Sequence, residues 1–227
     1  MKSGIFSALI AVREGSCRVP KKNIRNFAGT SLLKIKIEQA MKVKSIDKVF
    51  VSSDSEEMLN LALSLGATPI KRAAKYCSNS IPMNEVYKHL AESIRGDHIV
   101  YLHVTSPLLK SSTLEDSIET YKNLEDGYTS LASVEHLMKY IWFQDKAINY
   151  DPKNHPRSQD LAKYYSLNFA INILPRNIMI ETKSILGKKF YPYFLNSEES
   201  IDVDTEIDFE VAEYIYKKNH KKSFYAE

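Results

Sequence analysis

The chain has 227 residues, 44% hydrophobic and 26% charged, with a net charge of +3. That length supports one sizeable core, and the balanced surface gives no bulk attraction to nucleic acid. Cys17 and Cys77 form neither a disulfide framework nor a metal-ligand spacing, so reduced thiols in a cytoplasmic chain are expected.

Ile5–Val12 is an apolar run without polar alternation, as for a strand buried on both faces of a parallel sheet. It is too short to cross a membrane, and no small-residue cleavage site follows it, so neither an anchor nor a signal peptide is expected. Ser31–Lys44 reads as a helix with Leu32, Leu33, Ile35, Ile37, Ala40 and Met41 mostly on one face. Lys48–Ser52 is a second strand. Ser55 opens the next helix, with Glu56 and Glu57 in its first turn and Gly66 as its stop. Thr68–Lys71 is a short strand, Asn84–Arg95 a helix and His98–His103 a buried strand. Ser112 and Glu115 have the spacing of a capping box for a helix to about Leu124, and Tyr128–Val134 is a further strand. This order predicts an α/β fold with a parallel sheet. Residues 135–190 break the alternation. They hold Tyr140, Trp142, Phe143, Tyr150, Tyr164, Tyr165 and the polar run DPKNHPRSQD. The reading is a strand-rich insertion, either a dimer arm or a small satellite core.

Parallel sheets bind ligands at the carboxyl ends of their strands. That rule selects residues 13–23, 52–55, 104–112 and 202–204. The first, REGSCRVPKKN, carries Arg13, Arg18, Lys21 and Lys22 around Gly15 and Ser16. It is either a solvated basic loop or an anion site built from turn N–H groups and cationic heads, and it lacks both the Walker and the Rossmann glycine spacing. In the last loop, Asp202 and Asp204 share one side of an extended segment. Two adjacent hard oxygen ligands suit Mg²⁺ or Mn²⁺ when phosphates complete the shell. Alternatively Asp204 or Thr205 caps the following helix, whose apolar face is Phe209, Val211, Ala212 and Tyr214, which leaves Asp202 unexplained. Thr105-Ser106-Pro107 and Ser52–Ser55 are also ordinary turn and cap sequences. His89 and His136 lack partners in the sequence and receive no role.

Six segments occur together in order: Arg13-x-Gly15-Ser16-x-Arg18-x-Pro20-x-Lys22-Asn23, Val51–Glu57, Thr105–Leu108, Pro156-Arg157-Ser-Gln159-Asp-Leu161, Asn168-x-Ala170-Ile171, and Asp202-Val-Asp204-Thr-Glu206-x-Asp208-Phe209. In this combination the chain resembles the acylneuraminate cytidylyltransferases (CMP-sialic acid synthetases) and, more widely, the 3-deoxy-manno-octulosonate cytidylyltransferases. The resemblance implies a three-layer Rossmann-like sheet of the nucleotide-diphospho-sugar transferase type. It implies a single domain, residues 1–227, with a small strand-rich dimerisation arm within 135–190, and a homodimer. The implied reaction joins CTP to the anomeric hydroxyl of a 2-keto-3-deoxy sugar acid and releases pyrophosphate, for surface glycan synthesis. Arg13, Lys22 and Asp204 are then the expected catalytic residues. The nucleotide is expected against Arg13, Gly15, Ser16, Arg18, Lys22, Asn23 and Ser80, and the metal on Asp202 and Asp204. Thr105 and Ser106 are expected near the acceptor, with Gln159 of the arm motif. Lys139 and Arg157 are expected to reach the acceptor or the phosphates from the partner's arm.

The acceptor side departs from that pattern. The family's Leu-Gln-Pro is Leu102-His103-Val104 here, and its Asn-Gly-Ala-Ile-Tyr is Asn168-Phe169-Ala170-Ile171-Asn172. His103 and Asn172 are therefore the expected acceptor contacts, the alternative for His103 being a merely tolerated replacement. The acid is expected not to be ordinary N-acetylneuraminate, a modified nonulosonate being one possibility and a smaller or non-sugar acceptor another. The alternatives are transfer to a sugar phosphate, phosphonate or other acid, and a non-catalytic nucleotide-binding relative.

Overall fold

The computed structural model describes residues 2–15, 18–78, 80–125 and 127–223, with no side-chain detail for 221–223. Ser16 and Cys17 of the basic loop lie outside the described residues. The first strand, β1 (Phe6–Ala11), is buried on both faces. Phe6, Ala8 and Ile10 enter one core and Leu9 the opposite one, as a side-chain period of two requires. There follow α1 (Leu32–Met41), β2 (Lys48–Ser53), α2 (Glu56–Ser64), β3 (Thr68–Lys71), α3 (Met83–Glu92), β4 (His98–Leu102), α4 (Ser111–Lys122) and β5 (Ser130–Leu137). A small hairpin, β6 (Trp142–Phe143) and β7 (Lys146–Ala147), precedes β8 (Tyr164–Pro175), α5 (Arg176–Thr182), β9 (Phe190–Phe194) and α6 (Glu206–Ser223).

The main sheet has the order β3-β2-β1-β4-β8-β5-β9. Only β8 runs against its neighbours, β4 and β5; the other pairings are parallel. Residues of α1, α2, α4 and α6 pack on one face, and those of α3 and α5 on the other. The expected mostly parallel, three-layer α/β fold is therefore what forms. Each fully buried Leu or Ile of these layers contributes about 1.5–3 kcal/mol relative to exposure. The carboxyl ends of β1, β2 and β4 meet at one edge of the sheet, where the four selected loops gather. No described helix is long and apolar enough to cross a membrane.

Three local expectations are corrected. Ser112 and Glu115 do not form a capping box. Helix α4 begins at Ser111 with Lys110 as its cap residue, and the Glu115 carboxylate instead accepts from the backbone of Lys44 and Ser45 at 2.7 and 3.3 Å. Tertiary docking of α4 on the α1–β2 turn outcompetes the local bond. On α6, Val211 and Tyr214 face solvent, whereas Phe209 and Ala212 are buried and Tyr216 packs beside them. The interruption in the alternation is also shorter than 135–190. β8, α5 and β9 rejoin the sheet, so only about 138–163 projects from it. That projection is held by Asn149, which accepts from Ile141 N and donates to Lys139 O, both at 2.8 Å. Tyr140, Tyr150 and His155 form an aromatic knot within it.

The pairing of β5 with β8 breaks beside the end of β4. Ala132 faces Asn172 but Val134 faces Leu167, so residues 168–171 bulge opposite Ser133. Such bulges redirect side chains next to sites. Within this one Phe169 has φ +56°, a left-handed backbone that costs a residue with a Cβ about 1–2 kcal/mol.

The start of α6 carries the acidic segment. Thr205 Oγ1 accepts from Asp208 N at 3.3 Å, and Asp208 accepts from Asp204 N, Thr205 N and Thr205 Oγ1 at 3.1, 2.7 and 2.8 Å. This is a reciprocal cap, the capping box logic with Asp in place of Glu. Asp208→Ala is expected to lower unfolding free energy by about 1–2 kcal/mol, measured by urea denaturation at pH 7.

Candidate active site

The site begins where β1 ends. Val12 N bonds Ser52 O at 3.0 Å, which aligns the ends of β1 and β2. Arg13 then turns its Nη1 to the Cys77 carbonyl at 2.8 Å. The chain returns through a tight turn at Lys21 (φ +51°), where Ile24 N and Arg25 N both donate to Lys21 O. Val19 is fully buried and anchors the turn in the core. Asn23 is buried, donates to Arg13 O at 3.0 Å and accepts from Leu33 N at 3.0 Å through its carbonyl. It therefore staples the two ends of the loop together while also lining the cavity they enclose.

The acidic segment closes the opposite side. Val203 N donates to Thr105 O at 2.8 Å, and Lys22 Nζ donates to Val203 O at 2.7 Å. Arg18 holds Asp204 through two parallel bonds of 3.1 and 2.9 Å, and Lys22 Nζ lies 3.7 Å from the same carboxylate. Asp202 lies beside the Thr105 side chain. Its pKa is raised, chiefly by burial, with the Asp204 and Asp208 charges adding to the rise. Burial lowers the Lys22 pKa, and the two aspartates oppose that shift. The basic loop and the acidic pair are thus one charge-compensated constellation. Arg13, Gly15, Arg18, Lys22, Asn23, His103 and Thr105 line a cavity of about 250 Å³ between them.

A second cavity of about 430 Å³ shares Arg13 and His103 with the first. Tyr76, Ile81 and Tyr101 supply its apolar wall, and Arg72 and Ser78 its polar groups. Arg72 is buried, donates from Nη2 to Val12 O, and bonds Cys77 Sγ at 3.0 Å through Nε. His103 stands between the cavities. Its Nε2 is buried with no hydrogen-bond partner among the described residues. Burial, reinforced by Lys36 and Lys22, pulls its pKa down to about 4, so the ring is neutral at pH 7. A third cavity of about 260 Å³ lies between α1, residues 107–111 and α6, and none of the expected nucleotide or metal residues lines it.

The expected site residues divide accordingly. Arg13, Gly15, Arg18, Lys22, Asn23, His103 and Thr105 converge on the first cavity, with Asp202 and Asp204 beside it. Ser80 is exposed and lines neither cavity, although its Oγ lies 2.8 Å from that of Ser78, which does. Ser106 is sealed under the loop at 1% exposure, and its carbonyl accepts from Lys36 Nζ at 2.8 Å. Asn172 is also buried, inside the sheet between β4 and β5, and donates to Phe169 O at 3.2 Å. The expectation that Ser106 and Asn172 touch an acceptor directly is therefore not met in this conformation, because backbone and core cover both. Lys139, Arg157 and Gln159 belong to the projecting segment and line neither cavity of their own chain; Arg157 pairs with Asp160 at 2.7 Å.

Two buried cations escaped the sequence reading. Arg72 directly follows β3, so the rule that selected the other strand ends applies to it as well. Lys36 lies one turn from Leu32 and one from Ala40, on the buried face of α1, where a lysine is unexpected. It is fully buried, and desolvation pulls its pKa to about 7 against the Glu199 charge. Glu199 in turn accepts from Lys110 N at 2.8 Å at the start of α4. Lys36 and Glu199 thereby fasten both ends of residues 106–110.

The carboxylate pair suits a divalent cation. Two hard oxygen donors lie together, and Asp202 has a pKa raised chiefly by burial, with a smaller repulsion from Asp204 that a cation would relieve. No group of three or more His, Cys, Asp or Glu able to hold a metal occurs among the described residues.

A mostly parallel α/β sheet with a cationic loop and a carboxylate pair at its ligand edge defines a nucleotidyltransferase. The sequence matches the Cytidylyltransferase family from residue 7 to residue 226, and the chain belongs to that family. It is 29% identical to the pseudaminic acid cytidylyltransferase of Campylobacter jejuni, over 95% of this chain and 98% of that protein. It is 28% identical to the CMP-N,N′-diacetyllegionaminic acid synthase of Legionella pneumophila, over 94% and 97% respectively. Identity to N-acylneuraminate cytidylyltransferase A of Danio rerio is 30%, but the match spans only 51% of that longer protein. Among solved structures, CMP:2-keto-3-deoxy-manno-octonic acid synthetase complexed with CTP shares the fold, with a TM-score of 0.70 at 14% identity over 95% of this chain and 99% of that one.

The Lys36 environment predicts a pH dependence. The folded pKa is depressed below the unfolded value, so the unfolded chain binds more protons between about pH 7 and 10.5. Stability must rise with pH across that window, by at most about 1.4 kcal/mol per pH unit. Lys36→Met is expected to remove this contribution to the slope, read from urea denaturation at pH 7, 8 and 9.

Proposed function

We propose that this chain is a cytoplasmic enzyme that transfers the cytidylyl group of CTP to the anomeric hydroxyl of a nonulosonate-type 2-keto-3-deoxy sugar acid. The observation that carries this reading is that Arg18 and Lys22, which line one cavity with Arg13, pair with the Asp204 carboxylate beside it. A purely nucleotide-binding protein has no need of two carboxylates held side by side. The named activities of the pseudaminic and legionaminic acid relatives supply the acceptor class.

In this reading the triphosphate occupies the first cavity. Arg13 and Lys22 neutralise it, with Gly15 allowing close approach of the loop backbone. Arg18, which now balances Asp204, turns towards phosphate when the carboxylates take a cation. Asp202 and Asp204 would hold Mg²⁺ or Mn²⁺, which supplies charge neutralisation at the phosphates. The base takes the second cavity, between Tyr76 and Tyr101, with Arg72 and Ser78 as polar partners and Ser80 at its edge. The acceptor then lies over His103 and Thr105, its hydroxyl aligned with the α-phosphorus. The oxygen–phosphorus bond forms as the α–β bridge breaks, pyrophosphate departs with the bonding pair, and the hydroxyl gives up its proton to solvent water. His103, neutral and with one nitrogen unpartnered, serves as a hydrogen-bonding wall and not as an anion clamp.

The projecting segment completes the site from a second copy of the chain. Met138, Trp142 and Phe143 are exposed there, and burying such apolar surface against a partner is favourable. Lys139, Arg157 and Gln159 are then delivered to the partner's acceptor side.

Asp204→Asn at saturating Mg²⁺ is expected to lower CTP- and acceptor-dependent pyrophosphate release at least 100-fold with the fold intact; near wild-type turnover would refute the metal assignment. Trp142→Ser combined with Phe143→Ser is expected to convert a dimer into a monomer in sedimentation velocity, with loss of turnover.

A further inference from the structure

Among the described residues five non-glycine positions have positive φ, and four of them, Lys21, Ala28, Gln144 and Lys183, lie in turns or at a helix end. The fifth, Phe169, sits inside a strand. A bulky side chain there is disfavoured where glycine is at ease. Such an outlier persists only when its surroundings over-determine it, and these do. Asn172 Nδ2 holds Phe169 O at 3.2 Å. On the flanks, Asn168 Oδ1 lies 2.5 Å from Ser133 Oγ and accepts from Ala170 N at 3.3 Å, and Asn168 Nδ2 reaches Ser200 Oγ at 3.3 Å. Ile171 N donates to Ser133 Oγ at 2.9 Å. A buried polar network thus keeps an unfavourable backbone in place.

What it holds is an aromatic ring beside His103, which lines both cavities. The bulge opens beside the carboxyl end of β4, where Leu102 is paired with Ile171. Phe169 lies 6.1 Å from the His103 ring, tilted by 31°, and His103 lies 5.1 Å from Tyr101. Phe169 is partly buried and packs on the core beneath α3. The wall is therefore an apolar surface, with the unpartnered His103 Nε2 buried behind it.

We propose that Phe169 is a specificity-determining residue of the acceptor subsite, selecting sugar acids whose facing edge is deoxygenated or N-acylated. The inference rests on the cytidylyl-transfer reading above. A hydroxyl-rich edge would lose water against this wall and regain one hydrogen bond at most, whereas a methyl, whether of a deoxygenated carbon or at the end of an N-acyl group, loses nothing polar. Asn172 acts through Phe169 as a positioning residue, which accounts for its buried place in the sheet.

The test measures kcat/KM for pseudaminic acid, N,N′-diacetyllegionaminic acid and N-acetylneuraminate with CTP, by pyrophosphate release, in wild type, Phe169→Gly and Phe169→Leu. Wild type is expected to favour a deoxygenated, diacylated acid at least tenfold over N-acetylneuraminate. Phe169→Gly is expected to shrink that ratio at least fivefold with the KM for CTP unchanged within twofold, and Phe169→Leu to preserve it. Phe169→Gly should also melt no lower than Phe169→Ala, because only glycine relieves the backbone. An active wild type whose acceptor ratios survive Phe169→Gly overturns this inference alone. An absence of turnover with all three acids overturns the cytidylyl-transfer reading, and this inference with it.

Discussion

The functional edge depends on keeping two carboxylates together at the end of a parallel sheet. Asp202 and Asp204 repel each other, and burial makes Asp202 still less willing to ionise. Three features make the arrangement tenable. Val203 is bonded to Thr105, so the segment cannot drift from β4. Asp208 and Thr205 close the first turn of α6 behind it. Arg18 and Lys22 bring positive charge from the other side of the cavity. The Arg18 pair is exposed to solvent and is worth little as a stabiliser. An exposed ion pair exchanges readily, as the proposed binding of anions and a cation requires.

The same edge is stiffened from beneath. Lys36 and Gln39, on one face of α1, donate to the carbonyls of Ser106 and Pro107, both at 2.8 Å. A buried lysine is a costly way to hold a loop, and the depressed pKa of Lys36 records that cost. In the proposed reading the nucleotide side rests on strand ends and core anchors such as Val19, whereas the acceptor side is built from a bulge, a strained phenylalanine and a neutral histidine. This division mirrors the chemistry. Phosphate recognition needs fixed charge, while acceptor choice depends on shape and on which polar groups are left without partners.

Much of this was legible before any coordinates. The unalternating run at Ile5–Val12 announced a strand covered on both sides, and the βα order announced the sheet and its ligand edge. The sequence motifs named the cationic loop and the acidic pair. Other features were not legible because they depend on contacts distant in sequence. Glu115 had the right spacing for a cap but was drawn to Lys44 and Ser45 across an interhelix contact. Ser106 and Asn172 have side chains suited to a ligand, yet backbone packing sealed them. Val211 and Tyr214 are apolar but lie on the outer face of α6, because Phe27 stacks edge-on against Phe209 at 5.2 Å and sets the rotation of the helix.

By itself, the sequence determined the chemistry available: where the cations lie, that two carboxylates share one extended segment, and that a histidine follows β4. Local periodicity and short motifs encode these facts within a few residues. Only the tertiary structure decided that Arg18 meets Asp204 across 186 positions, that Lys36 and Arg72 belong to the edge, and that Phe169 is held in a left-handed bend beside His103. The reason is physical. Charge compensation, desolvation and backbone strain are properties of neighbours in space, and the sheet brings those neighbours together from every part of the chain.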